Sequence, residues 1–184
     1  MRMPASILRA VAAAALAIAL PVTAALDSLR IVIPDAAGSS LDATGRELGA
    51  ALVASGAVKN LRYENLAGAD GTVALARFVA DSKGDPRVLL LGDHAMAQGI
   101  VRNRAANTFA NVTPVARLSR DSGSDWRGVF AAPAITKAQR DELAGAVQQA
   151  TRSSMWREAM RQHGWQDSWL PGDEFGKFAE SQVR

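Results

Sequence analysis

Short runs with strand character alternate along the chain with longer stretches of helical spacing. Three such runs, residues 29–33, 61–64 and 87–91, have the length and composition of β-strands. Each is followed by a loop of small residues and then by a helical stretch, and in residues 41–52 the apolar face recurs at spacings of four, three and four. This repeated order predicts an α/β fold with a mostly parallel sheet flanked by helices.

The second half of the chain has two more extended segments and three more helices. Residues 112–119 and 126–131 have strand character, and the polar residues 120–124 separate them. Thr136 and Gln139 match a capping box and mark the start of a helix. The three helices are predicted at residues 137–150, at 154–163 and after 172.

The first residues have the pattern of a secretory signal peptide. Arg2 and Arg9 give a basic start, and residues 10–20 form an apolar run that is too short to span a bilayer. Small residues at 22–24 then offer a cleavage site. We therefore predict a signal peptide at residues 1–24, which leaves one lobe for the rest of the chain.

Composition excludes several classes of function. The chain has no cysteine, which excludes disulfides, thiolate metal sites and a lipid-anchored N-terminus. Hydrophobic residues make up 48%, which is enough for a core. The formal net charge is +3, and Arg2 and Arg9 of the predicted signal peptide account for much of it. The basic character therefore does not indicate a nucleic-acid surface.

The three loops that follow the first three strands carry the candidate site. In a parallel sheet these loops share the carboxyl edge, where ligands bind. Backbone N–H groups at the start of a helix attract anions, and serine hydroxyls can donate further hydrogen bonds. We expect Asp93 to hold His94 in one tautomer. The candidate ligand-binding residues are Asp35, Ala36, Gly38, Ser39, Ser40, Gly68, Asp93 and His94.

Each of these features also has a purely structural interpretation. Ser39 and Asp42 match a capping box and would then serve the helix alone. Gly68 would be a turn glycine, and His94 a solvated loop side chain. Asp35 and Asp42 add negative charge close to a site meant for an anion, which weakens the binding interpretation.

Enzymatic interpretations have little support. Ser39 or Ser40 with His94 lacks the G-x-S-x-G context of a serine nucleophile. His94 and His163 lie on unrelated segments, so we predict no metal site, and no nucleotide-binding glycine motif is present. We predict a protein that is not an enzyme and has no cofactor.

Five segments in order resemble the substrate-binding components of tripartite tricarboxylate transporters. The segments are residues 31–49, 63–76, 89–99, 112–118 and 125–133. The resemblance implies a periplasmic location and a type II periplasmic-binding-protein architecture, in which two lobes close on a carboxylate and deliver it to membrane permease subunits. In that architecture both ends of the chain build the first lobe, and the second lobe is inserted between them.

This chain departs from that pattern in the middle, where the second lobe is absent. We therefore predict a single lobe over residues 25–184, with an N-terminal part at 25–119, a C-terminal part at 125–184 and a hairpin at 120–124 where the second lobe is missing. A single lobe leaves much of the ligand surface exposed to water, so we expect weak binding or none.

The predicted function is that of a truncated periplasmic solute-binding protein for di- or tricarboxylates such as citrate, acting without catalysis. Its partners would be the permease subunits, with a homodimer as a further possibility and no nucleic acid. Two alternatives stay open. The chain is a ligand-independent interaction protein, which dimerises or docks on a permease, a sensor or a full-length paralogue, or it is a non-functional remnant.

Overall fold

A computed structural model describes residues 25–121 and 125–184. The predicted signal peptide and part of the predicted hairpin turn lie outside these residues. The strands are β1 Leu26–Ile33, β2 Val58–Asn65, β3 Val88–Asp93, β4 Thr113–Arg120, β5 Trp126–Ala131 and β6 Gln166–Pro171. The helices are α1 Ser40–Ala54, α2 Thr72–Asp81, α3 His94–Arg102, α4 Lys137–Thr151, α5 Ser154–His163 and α6 Gly172–Ser181.

All six strands form one sheet in the order β2-β1-β3-β5-β4-β6. The α/β class with flanking helices is confirmed. The sheet is mixed, however, where a mostly parallel one was predicted: β1 pairs parallel with β2 and β3, whereas β5 is antiparallel to β3 and β4, and β6 is antiparallel to β4. For β4 and β5 the cause is the connection length, because the few residues between them can join antiparallel neighbours but not parallel ones.

Two hydrophobic cores lie on the two faces of the sheet. Successive residues of β3 alternate between them, with Leu89 and Leu91 in one core and Val88 and Leu90 in the other. Helices α1, α4 and α5 cover the first face, and helices α2, α3 and α6 cover the second. The described residues thus form three layers, α/β/α. Among them, no helix combines the length and the apolar composition needed to cross a membrane.

Strands β4 and β5 are direct neighbours at the point where the second lobe was expected to be missing. Arg120 lies opposite Trp126, and the backbone N–H of Asp121 donates to the carbonyl of Asp125 at 2.8 Å. The tip of this connection, residues 122–124, is outside the described residues. The division of the chain into a signal peptide and two parts of one lobe therefore stays a prediction.

Candidate functional site

The loops after β1 and β2 and the junction of β3 with α3 meet around one small cavity. Its volume is about 160 Å³, and its lining includes Asp35 from the first loop, Gly68 and Asp70 from the second, and Asp93 at the end of β3. The parallel direction of these three strands places all three segments at the carboxyl edge of the sheet. Of the predicted site residues, the other five do not line this cavity; they are Ala36, Gly38, Ser39, Ser40 and His94.

One backbone amide just before α1, together with two side-chain donors, is paired with a carboxylate of the same chain. The backbone N–H of Gly38 donates to Oδ2 of Asp42 at 2.8 Å, and the side-chain amide of Asn65 donates to Oδ1 at 3.0 Å. Arg46 Nε also donates to Oδ2, at 2.9 Å. The Asp42 side chain is only 4% exposed. It fills the position in which a ligand carboxylate would meet these donors.

The hydrogen bonds around Asp42 favour its charged form. The bond from Arg46 has the largest effect, bonds from Gly38 and Asn65 add to it, and together they lower the pKa of Asp42 to about 2 despite its burial. Ser39 is the N-cap of α1, because its Oγ accepts from the backbone N–H of Asp42 at 3.1 Å. The capping role proposed for Ser39 from its spacing is therefore present in the structure.

The side chain of Asp35 accepts a hydrogen bond from a further backbone amide of the first loop. Its Oδ1 accepts from the backbone N–H of Ala36 at 2.7 Å. Its own carbonyl accepts from the side-chain amide of Asn65 at 3.1 Å, so Asn65 joins the first loop to the end of β2. The first loop is thus held in place by internal acceptors, and two of its amides are already paired with carboxylates.

The second loop has a constrained backbone. Gly68 and Gly71 have positive φ angles of 142° and 83°, and Ala69 and Asp70 between them lie in the left-handed region with φ near 50°. The Asp70 carboxylate pairs with Arg102 at 3.2 Å. Gly68 is therefore required for the turn, whichever ligand the cavity takes.

Asp93 and His94 do not form the expected pair. Asp93 Oδ1 accepts from the backbone N–H of Met96 at 2.8 Å and caps α3. His94 instead contacts Gln98, with 2.9 Å between the Nε2 atoms of the two side chains. The expectation that Asp93 fixes the His94 tautomer is wrong, because the carboxylate is turned toward the start of the helix.

Burial raises the pKa of Asp93, and the negative charges of Asp35 and Asp125 raise it further. The positive charge of Arg127 opposes this effect. Asp93 is paired with Arg127 in the β3–β5 register, so both side chains lie on the same face of the sheet at its carboxyl edge.

Arg127 is the site residue that the sequence interpretation missed. Its side chain is 8% exposed, and its two terminal nitrogens donate to the two carboxylate oxygens of Asp121 at 2.6 and 3.1 Å. Nη2 also donates to Oγ of Ser40 at 2.9 Å, and the guanidinium lies 5.3 Å from the centre of the Trp165 ring. A guanidinium held by two parallel bonds is a geometry suited to carboxylates. The available signal was an arginine inside an otherwise apolar strand.

At this edge, the donors on Gly38 and Arg127 are therefore paired with carboxylates of the same chain. Asp35, Asp70 and Asp93 give the cavity a negative lining, and the buried positive charge beside it belongs to Arg127. Within residues 25–121 and 125–184, no cluster of three or more histidine, aspartate or glutamate side chains is placed to hold a metal ion. An incoming carboxylate would have to replace Asp121 on Arg127.

Solved structures with a similar fold are solute-binding proteins. A TctC solute-binding protein from Polaromonas, determined without ligand, has a TM-score of 0.76 at 12% identity, with 85% of this chain and 95% of that one covered. MatC from Rhodopseudomonas palustris with bound malate has a TM-score of 0.70 at 14% identity, with 89% and 97% covered. The periplasmic binding protein BugD has a TM-score of 0.69 at 14% identity, with 85% and 94% covered.

No family model and no curated protein sequence matches the chain. At identities of 12–14% the structural likeness shows the fold alone. The chain thus shares its fold with these solute-binding proteins. Its ligand and partners are matters of inference from the site.

Proposed function

We propose that the chain is a periplasmic solute-binding protein for small di- or tricarboxylates, reduced to one lobe and acting without catalysis. Two observations support a binding role. Two loops and the β3–α3 junction converge on one cavity at the carboxyl edge of the sheet, and the proteins of similar fold are binding proteins, one of them with bound malate. The predicted signal peptide supports the location, and permease subunits are the proposed partners.

The observation that carries the proposal is the buried Arg127 guanidinium. One carboxylate of the ligand would replace the Asp121 carboxylate on Arg127 and accept from the same two nitrogens. Ser40 would remain as the neighbouring hydroxyl. Because the ligand exchanges one carboxylate for another, the net gain is small, and a single wall leaves the rest of the ligand in water. We therefore expect weak binding, with Kd in the millimolar range, about 1 mM or above.

Isothermal titration of citrate and malate into residues 25–184 tests this proposal. Asp121→Asn removes the competing charge and leaves Arg127 free for a ligand. We expect this variant to bind citrate about tenfold more tightly than the parent chain. The matched control is Asp173→Asn, an exposed aspartate that pairs with Arg140 at 2.6 Å and lies on a different element. It should leave the affinity unchanged.

Two results would contradict the proposal. Micromolar citrate affinity in the parent chain would show that Asp121 and the missing wall do not limit binding. No saturable citrate or malate binding by Asp121→Asn, in a variant with an unchanged circular dichroism spectrum, would show that Arg127 is not a carboxylate site.

A second candidate function is a ligand-independent interaction role, and the internal pairing of the site favours it. Asp42 and Asp121 already satisfy the donors that a ligand would use. Such a chain would dimerise or dock on a permease, a sensor or a full-length paralogue. Light scattering separates the two roles. A dimer whose mass does not respond to citrate supports the second, and a monomer stabilised by citrate supports the first.

A further inference from the structure

A second and larger cavity lies between helices α4 and α5 and the edge strand β6. Its volume is about 490 Å³, and it shares no lining residue with the cavity at the carboxyl edge. Cavities that bind small molecules commonly have about 300–1,000 Å³. The lining residues that matter here are Arg152, Trp156, Arg157, Met160, Asp167 and Trp169.

The charged lining of this cavity is predominantly positive. Arg152 ends α4 and Arg157 lies in α5, and across the described part of the chain neither guanidinium has a hydrogen bond or an ion pair. Arg161 on the same helix, in contrast, pairs with Glu158 at 2.5 Å. Asp167 is the one carboxylate in the lining, and its Oδ1 accepts from the backbone N–H of Trp169 at 3.1 Å.

The positive potential at this corner comes from the two side chains. The C-terminal end of α4 and the N-terminal end of α5 meet here, and their partial charges have opposite signs, so the helix ends largely cancel. Both guanidiniums are exposed, so their donors are accessible to a ligand. The corner is thus suited to an anion that accepts hydrogen bonds from guanidinium groups.

The remaining lining is apolar and aromatic. Trp156 is 1% exposed and packs with Trp165 at 5.8 Å between ring centroids, so its indole is held rigidly. Trp169 and Met160 beside it are half-buried, so they provide the apolar surface that a ligand can reach. An indole that packs against a rigid core is suited to a flat ring system.

We propose that this cavity binds an amphipathic carboxylate, with its carboxylate on Arg152 and Arg157 and a flat aromatic body against Trp169. The volume suits an acid of one or two rings. A polyanion without an apolar body, such as citrate, leaves the Trp169 indole unused, and a neutral ring leaves the arginines unused. The site is independent of the function proposed above.

Titration with 2-naphthoate tests the proposal, and the neutral 2-naphthamide is the matched ligand. Tryptophan fluorescence and calorimetry on residues 25–184 should show that the acid binds about tenfold more tightly than the amide. The double variant Arg152→Gln/Arg157→Gln should lose about the same factor for the acid and nothing for the amide. Arg161→Gln is the control on the same helix and should keep the parent affinity.

Three results would overturn the proposal. Equal affinity for acid and amide would show that both ligands bind the apolar lining alone, without the arginines. Unchanged affinity in the double variant would place the acid elsewhere, and no saturable binding of 2-naphthoate would show that there is no site. The comparison of acid and amide on the parent chain does not depend on any variant folding.

Discussion

At the scale of single residues, Asp42 of α1 is an acceptor that links three elements. It connects the first loop, through Gly38, to the end of β2, through Asn65, and to its own helix, through Arg46. The first loop is thereby tied to β2 and α1. The same arrangement pairs the backbone N–H of Gly38, one of the donors that made this loop a candidate anion site, with an internal carboxylate.

Asp42→Asn should lower the free energy of unfolding at pH 7 by about 1–2 kcal/mol, because one oxygen cannot satisfy the donors that two now satisfy. The wild-type advantage is fully present above the ordinary aspartate pKa of 3.8 and is lost as the pH falls through the folded-state value of about 2. Urea denaturation at pH 7, 4 and 2.5 measures it. Asp27→Asn is the control, since Asp27 is 86% exposed in its pair with Lys59. A pH-independent difference would contradict this account.

Asp93→Asn should change the free energy of unfolding in the opposite direction and stabilise the fold. The pKa of Asp93 is raised in the folded state, so the ionised carboxyl destabilises the fold at neutral pH. Asparagine keeps an oxygen for the backbone N–H of Met96 and removes the charge. The variant should be more stable than the parent at pH 7, and the difference should shrink as the pH falls through the raised pKa and vanish below 3.8. Thermal unfolding at several pH values measures this, and equal melting temperatures at pH 7 would contradict it.

Local features of single residues were predictable, and long-range ones were not. Ser39 and Thr136 cap their helices as their spacing predicted, because a cap depends on residues three positions away. Arg127 depends on Ser40, which is 87 positions away, and on Asp121 across a turn. No pattern in the sequence reports those neighbours.

At the scale of elements, close approach of α3 to the second loop depends on Gly99. A Cβ on this residue would lie 2.7 Å from Cβ of Asp70 and 2.9 Å from its carbonyl oxygen. Gly99→Ala should therefore cost about 1–3 kcal/mol of folding free energy through overpacking. Gly145→Ala is the matched control in α4, where an added Cβ meets nothing within 4 Å. It should stabilise the chain by about 0.5–1 kcal/mol, measured by urea denaturation. Equal effects of the two substitutions would contradict this packing.

Helices and five of the strands followed from the pattern, and the edge strand β6 did not. Helix α1, Ser40–Ala54, contains residues 41–52, whose apolar spacing predicted it. Strand β6 was missed because its sequence, QDSWLP, has no apolar run, and its residues are exposed or half-buried. An edge strand with little buried surface is fixed by its pairing with β4, which the sequence alone does not report.

At the scale of the whole molecule, β5 lies between β3 and β4 although it follows both in the chain. A fragment of residues 25–121 therefore lacks the strand that joins the two halves of the sheet. We expect it to show no cooperative unfolding transition, and addition of residues 125–184 to restore one. Circular dichroism during thermal unfolding measures both. A cooperative transition in the first fragment alone would contradict this dependence.

The late position of β5 has a consequence for the growing polypeptide. Until β5, residues 126–131, has been synthesised, β3 and β4 each retain an unpaired edge, and the nascent chain cannot complete its sheet. Such a chain lacks a complete sheet for most of the time that it spends on the ribosome. That is the condition in which a polypeptide can be threaded through a narrow membrane pore before it folds on the far side.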